Sequence, residues 1–364
     1  MDKRGVVFPM FASLPKPRWS ALVCFLIAGI VMALLLAGCQ KAAPPVTNTQ
    51  GSTEPTQGSS EPKTPPDGET KPPVPLSPIT NLPVSSPGSP VAVSTDNHPD
   101  ARPQSGLAKA DIVYEVLAEG GITRYLAVYY SEAPATVGPV RSARPYFALL
   151  AKEWGAVFAH CGGDPKDIEP IREWNVVDGD EFRYGNLYWR DNSRKAPHNL
   201  YTSIENMRKV PEQEIPAPEK RYEFQEWEKN PSAGLEIQYG RNYTVQYRYN
   251  DKKYERVILD GSREPFVYHD LGTNEKPAVS NVIVQFAETR VAYSDGGLII
   301  DLIGEGKAVY LLGGRYSEGT WKKESVDKPT WFFTAEGEKI TLTTGQTWVQ
   351  VVPSDAKVTE LTAK

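Results

Sequence analysis

Ile112-Val113-Tyr114-Glu115-Val116-Leu117 and Tyr125-Leu126-Ala127-Val128-Tyr129-Tyr130, joined across Glu119-Gly120-Gly121, read as two successive strands. Both runs are rich in β-branched and aromatic residues and are bounded by a glycine turn. Upstream, Val91-Ala92-Val93 is a further strand, followed by two polar turns, Asp96-Asn97-His98-Pro99 and Arg102-Pro103-Gln104-Ser105-Gly106. Downstream, Ser142 to Trp154 carries apolar residues at Phe147, Leu150, Ala151 and Trp154, the spacing of a helix. Ala156 to His160 is again a strand. Asp164-Pro165 then opens a second helix running to about Trp174, with Asp at the cap and Pro at the first position. Strands alternating with helices predict a mixed α/β (α+β) domain over residues 89–207.

Past a Pro-, Glu- and Lys-rich connection at 208–220 the texture changes. Tyr243 to Tyr249, Tyr254 to Leu259, Val282 to Phe286, Leu298 to Leu302, Ala308 to Leu312, Trp331 to Phe333 and Trp348 to Val352 are short β-rich runs separated by Gly, Asp, Asn and Lys turns. Residues 221–358 are therefore expected to form a β-rich domain, a meander or a small barrel.

The N-terminus has a different logic. Residues 1–38 combine Lys3, Arg4, Lys16 and Arg18 with an apolar run, Trp19 to Ala37, ending in Leu36-Ala37-Gly38-Cys39. This is the pattern of a lipoprotein signal peptide: the basic segment stays on the cytoplasmic side, the apolar segment inserts, and small residues admit the peptidase. Cys39 is the expected lipidation site, carrying palmitate and anchoring the chain to the extracytoplasmic face of the cell membrane. Residues 39–88, rich in Pro, Ser and Thr, are expected to be a tether, because so little apolar surface cannot offset the entropy of ordering. At ~3 Å per residue its reach is on the order of 100 Å.

Of the 3 cysteines, Cys24 leaves with the signal peptide and Cys39 takes the lipid, so Cys161 has no partner for an intramolecular disulfide. No paired cysteines or closely spaced histidines suggest a metal site, and no cofactor is expected. The leader holds four basic residues against Asp2, so its loss takes the net charge from -5 to -8. An acidic chain without a basic stripe is not expected to bind nucleic acid.

Several polar strings resemble one family. Asp96-Asn97-His98-Pro99, Ala101 to Leu107, Ala110 to Glu115, Glu119 to Arg124, Gly138 to Pro145, Arg194-Lys195-Ala196-Pro197-His198-Asn199-Leu200-Tyr201, Gly319 to Lys323 and Gly345 to Gln350 are similar to the YerB-like bacterial lipoproteins, the DUF3048 proteins. The resemblance spans nearly the whole chain outside the tether. It implies a membrane lipoprotein with an N-terminal and a C-terminal domain, without implying a reaction.

The chemistry must come from the residues. Arg124, Arg141 and Arg144 stand among Asp111, Glu115 and Glu119. Arginine forks suit phosphate or carboxylate, and Arg141 and Arg144 at a helix start are placed to form an anion site. The competing reading pairs these arginines with the nearby carboxylates as buried salt bridges. His160 ends a strand before Gly162-Gly163, a place where open α/β sheets bind ligands, and is the leading candidate for a base or ligand contact. His98 and His198 lie in polar turns and are further candidates. Asp96, Asn97 and His98 read as an Asx turn before Pro99 rather than as metal ligands. Cys161 is not assigned a catalytic role. The combined expectation is a lipid-anchored binding or accessory protein of the cell envelope that contacts an anionic wall-related ligand or an envelope protein. Peptidoglycan, lipid-linked precursors and wall-assembly proteins are its expected partners. The alternative is an enzyme acting on wall polymers or lipid-linked precursors through an Arg/His/Asp cleft.

Overall fold

A computed structural model of the chain describes residues 74–361, apart from positions 213, 228–233, 241, 262–263 and 293–295. The expected signal peptide, the lipidated Cys39 and tether residues 39–73 lie outside the described residues. Among the described residues no helix is long and apolar enough to cross a membrane.

Five strands build the N-terminal layer: β1 (Val91–Asp96), β2 (Ile112–Leu117), β3 (Thr123–Tyr129), β4 (Val157–His160) and β5 (Val177–Asp180). β3 is antiparallel to both β2 and β1, whereas β1, β4 and β5 run parallel. Parallel neighbours cannot be joined by a tight hairpin, and helix α2 (Pro165–Glu173) makes the crossover from β4 to β5. Helix α1 (Pro145–Glu153) precedes β4, with Pro145 at a position whose N–H has no helical partner in any case.

The period of two along β1 divides the interior into two cores. Ala92 joins Leu126, Phe147, Leu150 and Phe158 on the side of α1. Val91 and Val93 join Tyr125, Ala127, Val157 and Leu200 on the other. Every residue of β1 and of β3 is buried, as expected of strands covered on both faces.

The second sequence region does not stand apart from this layer. Strand Gln346–Pro353 pairs in parallel with β2, Val113 opposite Trp348, and Val279–Ala287 pairs in parallel with Gln346–Pro353 in turn. At Val279–Ala287 the sheet forks. One arm is an antiparallel meander of Gly304–Leu312, Arg315–Lys323 and Trp331–Thr334. The other arm runs through Lys253–Leu259, Tyr243–Asn250, Gly234–Gly240 and Lys357–Leu361. The mixed α+β layer and the β-rich region thus share one hydrogen-bonded sheet, and each core draws side chains from both. Trp348, fully buried, meets Tyr125 edge-on at 5.6 Å between ring centroids.

Two expectations need correction. The tether was expected to reach residue 88, but Ser77, Ile79, Thr80 and Val84 are buried. Ile79 is 2% exposed within the α1-side core, Ser77 Oγ donates to the Asp111 carboxylate at 3.2 Å, and Ser85 N–H donates to Ser131 O at 2.9 Å. Two apolar anchors, Ile79 and Val84, and a few polar bonds suffice there, and composition averaged over the segment hides them. Strands Gly234–Gly240, Arg315–Lys323 and Lys357–Leu361 were not expected either. Most residues of Arg315–Lys323 keep some exposure, so its polar sequence carries little strand signal although every backbone position is paired.

Candidate functional site

β1, β4 and β5 are parallel, so their carboxyl ends lie at one edge of the sheet, and three polar loops leave from it. Asp96 is the last residue of β1 and is 1% exposed. Its Oδ1 accepts the His98 backbone N–H at 2.9 Å, the Asx turn read from the sequence. Its Oδ2 faces His198 Nδ1 at 2.7 Å and the Arg141 Nε at 3.3 Å. Arg141 also donates from Nη1 to Pro197 O at 3.5 Å. The rings of His98 and His198 stack, 4.6 Å between centroids and 14° between planes. A buried carboxylate therefore gathers two imidazoles and a guanidinium at the surface end of β1.

The loop carrying His198 is held there by Arg194. Its Nη1 donates to Ala101 O and its Nη2 to Pro103 O, both at 2.8 Å, which ties residues 191–199 to the turn after β1. That turn is anchored below: Arg102 Nε donates to Asn97 Oδ1 at 3.1 Å, and Asn97 Nδ2 donates to Tyr243 Oη at 2.6 Å in the β-rich region. Arg102 Nη1 pairs with Asp260 at 3.0 Å. The second region is thus the floor on which the site rests.

The other expected site residues are placed elsewhere. Arg144 does not point with Arg141: it bonds Glu119 and pairs with Asp167 at 3.1 Å, while Arg124 pairs with Glu119 at 3.4 Å. Burial works to raise the Glu119 carboxyl, but the bond from Arg144 and the charge of Arg124 together hold it below the usual carboxylate range. Arg124 and Arg144 are thus spent on internal pairs, as the salt-bridge reading had it. Glu115 pairs with a residue the sequence did not single out, Arg256, at 2.6 Å, with both side chains at most 1% exposed. Among the described residues Asp111 pairs with no arginine. It accepts the Tyr130 N–H at 2.7 Å and the Ser131 N–H at 3.0 Å, fixing the turn after β3, and burial raises its carboxyl.

His160 is fully buried. Its Nδ1 meets Gly162 O and its Nε2 meets Asp178 Oδ1, each at 3.0 Å, so neither ring nitrogen is open to a ligand. Gly162 makes this turn at φ +56°, a conformation natural to glycine, and a Cβ there would collide with the Phe182 ring. Cys161 faces Glu181, and burial followed by that bond pushes its thiol up to about 11, far from a reactive thiolate. A cavity of about 400 Å³ lies beside Lys109 and Asp111, away from the histidines. Its Lys109 is paired with Glu132 at 3.4 Å and Glu275 at 3.2 Å.

The assembled site can hold an anion through Arg141 and can move a proton through His198, whose buried carboxylate partner fixes its tautomer. The sequence named His98, His198 and Arg141 separately. It did not name Asp96 as the group that unites them, although the Asx-turn reading passed through that residue.

Comparison with known proteins gives a consistent picture. Residues 79–217 match the family described as "Protein of unknown function (DUF3048) N-terminal domain", and residues 235–349 match its C-terminal domain. "Putative lipoprotein YerB" of Bacillus subtilis (strain 168) is 36% identical over 275 residues, covering 72% of this chain and 81% of that protein. A crystal structure of the YerB protein from Bacillus subtilis superimposes with a TM-score of 0.69 at 34% identity, over 78% of this chain and 99% of the other. The polar strings noted in the sequence, the two matched halves and the shared architecture agree: the chain belongs to the YerB-like family of DUF3048 proteins.

Proposed function

We propose that this chain is a lipoprotein of the cell envelope, held through Cys39 at the extracytoplasmic face of the membrane, that binds an anionic wall-related ligand at the Asp96–His98–Arg141–His198 cluster. The anchor is supported by the Leu36-Ala37-Gly38-Cys39 string and by the lipoprotein name of the Bacillus subtilis relative. The observation that carries the ligand reading is the contrast among the arginines. Arg124 and Arg144 are consumed by Glu119 and Asp167, whereas Arg141 reaches the surface beside two histidines with 22% of its side chain exposed. Such a set suits a phosphate or carboxylate on peptidoglycan or on a lipid-linked precursor.

The test is sedimentation of the full chain, purified in detergent, with isolated sacculi. Arg141→Ala is expected to lower binding at least about tenfold with little change in melting temperature. Arg144→Ala is expected to lower the melting temperature and leave binding intact in the folded fraction. Equal binding by wild type and Arg141→Ala would overturn the assignment of the site. A second reading rests on the 2.7 Å contact between His198 Nδ1 and the buried Asp96, the arrangement of an oriented general base. Turnover of wall polymers that disappears in His198→Gln would favour that reading.

A further inference from the structure

We infer that His98, His198 and Asp100 form a binding site for a divalent first-row transition ion of the zinc type. The sequence showed no metal pattern, because the two histidines stand a hundred positions apart. Folding brings one ligand atom from each of the three residues within 4.8 Å of the others, and no other such group occurs among the described residues. His98 Nδ1 is 3.7 Å from Asp100 Oδ2. Donors around a tetrahedral zinc ion, at ~2.0–2.1 Å from the metal, lie roughly 3.3 Å apart. The His98–Asp100 pair needs to close by only a few tenths of an ångström, and no pair by more than about 1.5 Å. The Asp100 and His98 side chains, 63% and 38% exposed, have the room to turn. An ion on His98 Nδ1 would take over the lone pair that now accepts the Asp100 backbone N–H at 3.2 Å.

Two further observations point to a ligand. Asp96 is buried and holds His198 Nδ1 at 2.7 Å, the carboxylate–histidine arrangement that orients metal-bound imidazoles and leaves Nε2 for the ion. The two loops are also fixed to each other in advance by the Arg194 bonds to Ala101 O and Pro103 O. Charge is compatible: Asp96 and Asp100 outweigh Arg141 at the cluster, so a dication enters a site with a net negative charge. Two nitrogens and one carboxylate oxygen suit Zn²⁺, Co²⁺ or Ni²⁺, and three protein ligands leave a position open. Arg141, which faces the same Asp96 Oδ2 as His198, would be the nearby cation for an anion bound to the metal. The inference goes beyond the anion reading and does not depend on it.

The experiment is titration of the EDTA-stripped full chain, purified in detergent, with Zn²⁺ by calorimetry and with Co²⁺ by visible absorption. The expected result is one equivalent of zinc, a rise in melting temperature on zinc addition, and cobalt d–d bands without thiolate charge transfer. His98→Gln and His198→Gln should each weaken zinc binding by about tenfold or more, and Asp96→Asn by about 10–100-fold. Asp100→Asn, on a side chain 63% exposed, supplies a third ligand variant and should also weaken zinc binding. Absence of saturable uptake at micromolar zinc overturns the site, as does unchanged affinity in the His98→Gln/His198→Gln double variant. Metal uptake is read without any wall material, so it fails or succeeds independently of sacculus binding.

Discussion

Two histidine–aspartate pairs sit at the carboxyl edge of the same parallel strands and have opposite characters. His160, at the end of β4, is fully buried, with both ring nitrogens occupied by Asp178 and Gly162 O. His198 faces a buried aspartate at the end of β1, uses one nitrogen, and keeps 16% of its side chain exposed beside a second imidazole and Arg141. Position at a strand end is therefore not enough to make a ligand site. What separates the pairs is which partner is buried: around His160 the imidazole lies in the core and fastens a turn, whereas around His198 the carboxylate does, and the imidazole is presented to solvent. The arginines differ by degree: Arg124 is buried against Glu119, Arg144 keeps 14% exposure and meets two carboxylates, and Arg141 keeps 22% and meets one.

The sharpest way to break this division is to remove an interior charge. Glu115→Ala leaves Arg256 buried without its 2.6 Å partner and should cost about 3–5 kcal/mol in urea unfolding, because an unpaired buried cation cannot recover its hydration. A loss under about 1 kcal/mol would mean that the joint between the two sequence regions tolerates an unpaired charge. Next in size is the histidine pair itself. His160→Ala should cost about 2–3 kcal/mol by opening a void and removing the bonds to Asp178 and Gly162 O, with sacculus and zinc binding retained by the folded fraction. His198→Ala should cost about 1–3 kcal/mol, because the buried Asp96 carboxylate loses its 2.7 Å partner, and remove binding. Binding kept by His198→Ala, or lost by the folded fraction of His160→Ala, would erase the contrast between them.

The smallest effect is acid dependence. Glu119 has a folded carboxyl value below the ordinary range, so its contribution is present above about pH 4.3 and fades as pH falls through the folded value. Asp167 works in the opposite sense: burial raises its carboxyl, so the folded state gains relative stability as pH falls through that raised value. Glu119→Gln should therefore flatten the loss of melting temperature on acidification, by no more than a few degrees. A steeper loss in that variant would remove Glu119 from the set of internal pairs.

Much of the fold was legible because the local signals agree with it. The apolar runs at Ile112–Leu117 and Tyr125–Tyr130, the helical spacing of Phe147, Leu150 and Ala151, and the Asp164-Pro165 helix start all lie where the structure has β2, β3, α1 and α2. Elements with a weak local signal were missed: polar Arg315–Lys323 is held by pairing on both sides, and residues 77–88 by Ile79, Val84 and a few polar bonds. The candidate site was half legible. Its histidines and Arg141 stood out by residue type, but nothing local ranked them above His160 or separated Arg141 from Arg144.

By itself the sequence determined the strand and helix periods, the change from mixed to β-rich texture and the lipoprotein leader pattern. Each of these depends on residues close together in the chain. The tertiary structure alone decided that the two regions share one sheet through β2 and Gln346–Pro353, which arginines are neutralised, and which histidine faces solvent. Those outcomes depend on burial and on partners tens to hundreds of positions away. The free energy of a charge or an imidazole is set by what surrounds it in space, and that surrounding exists only once the chain has folded.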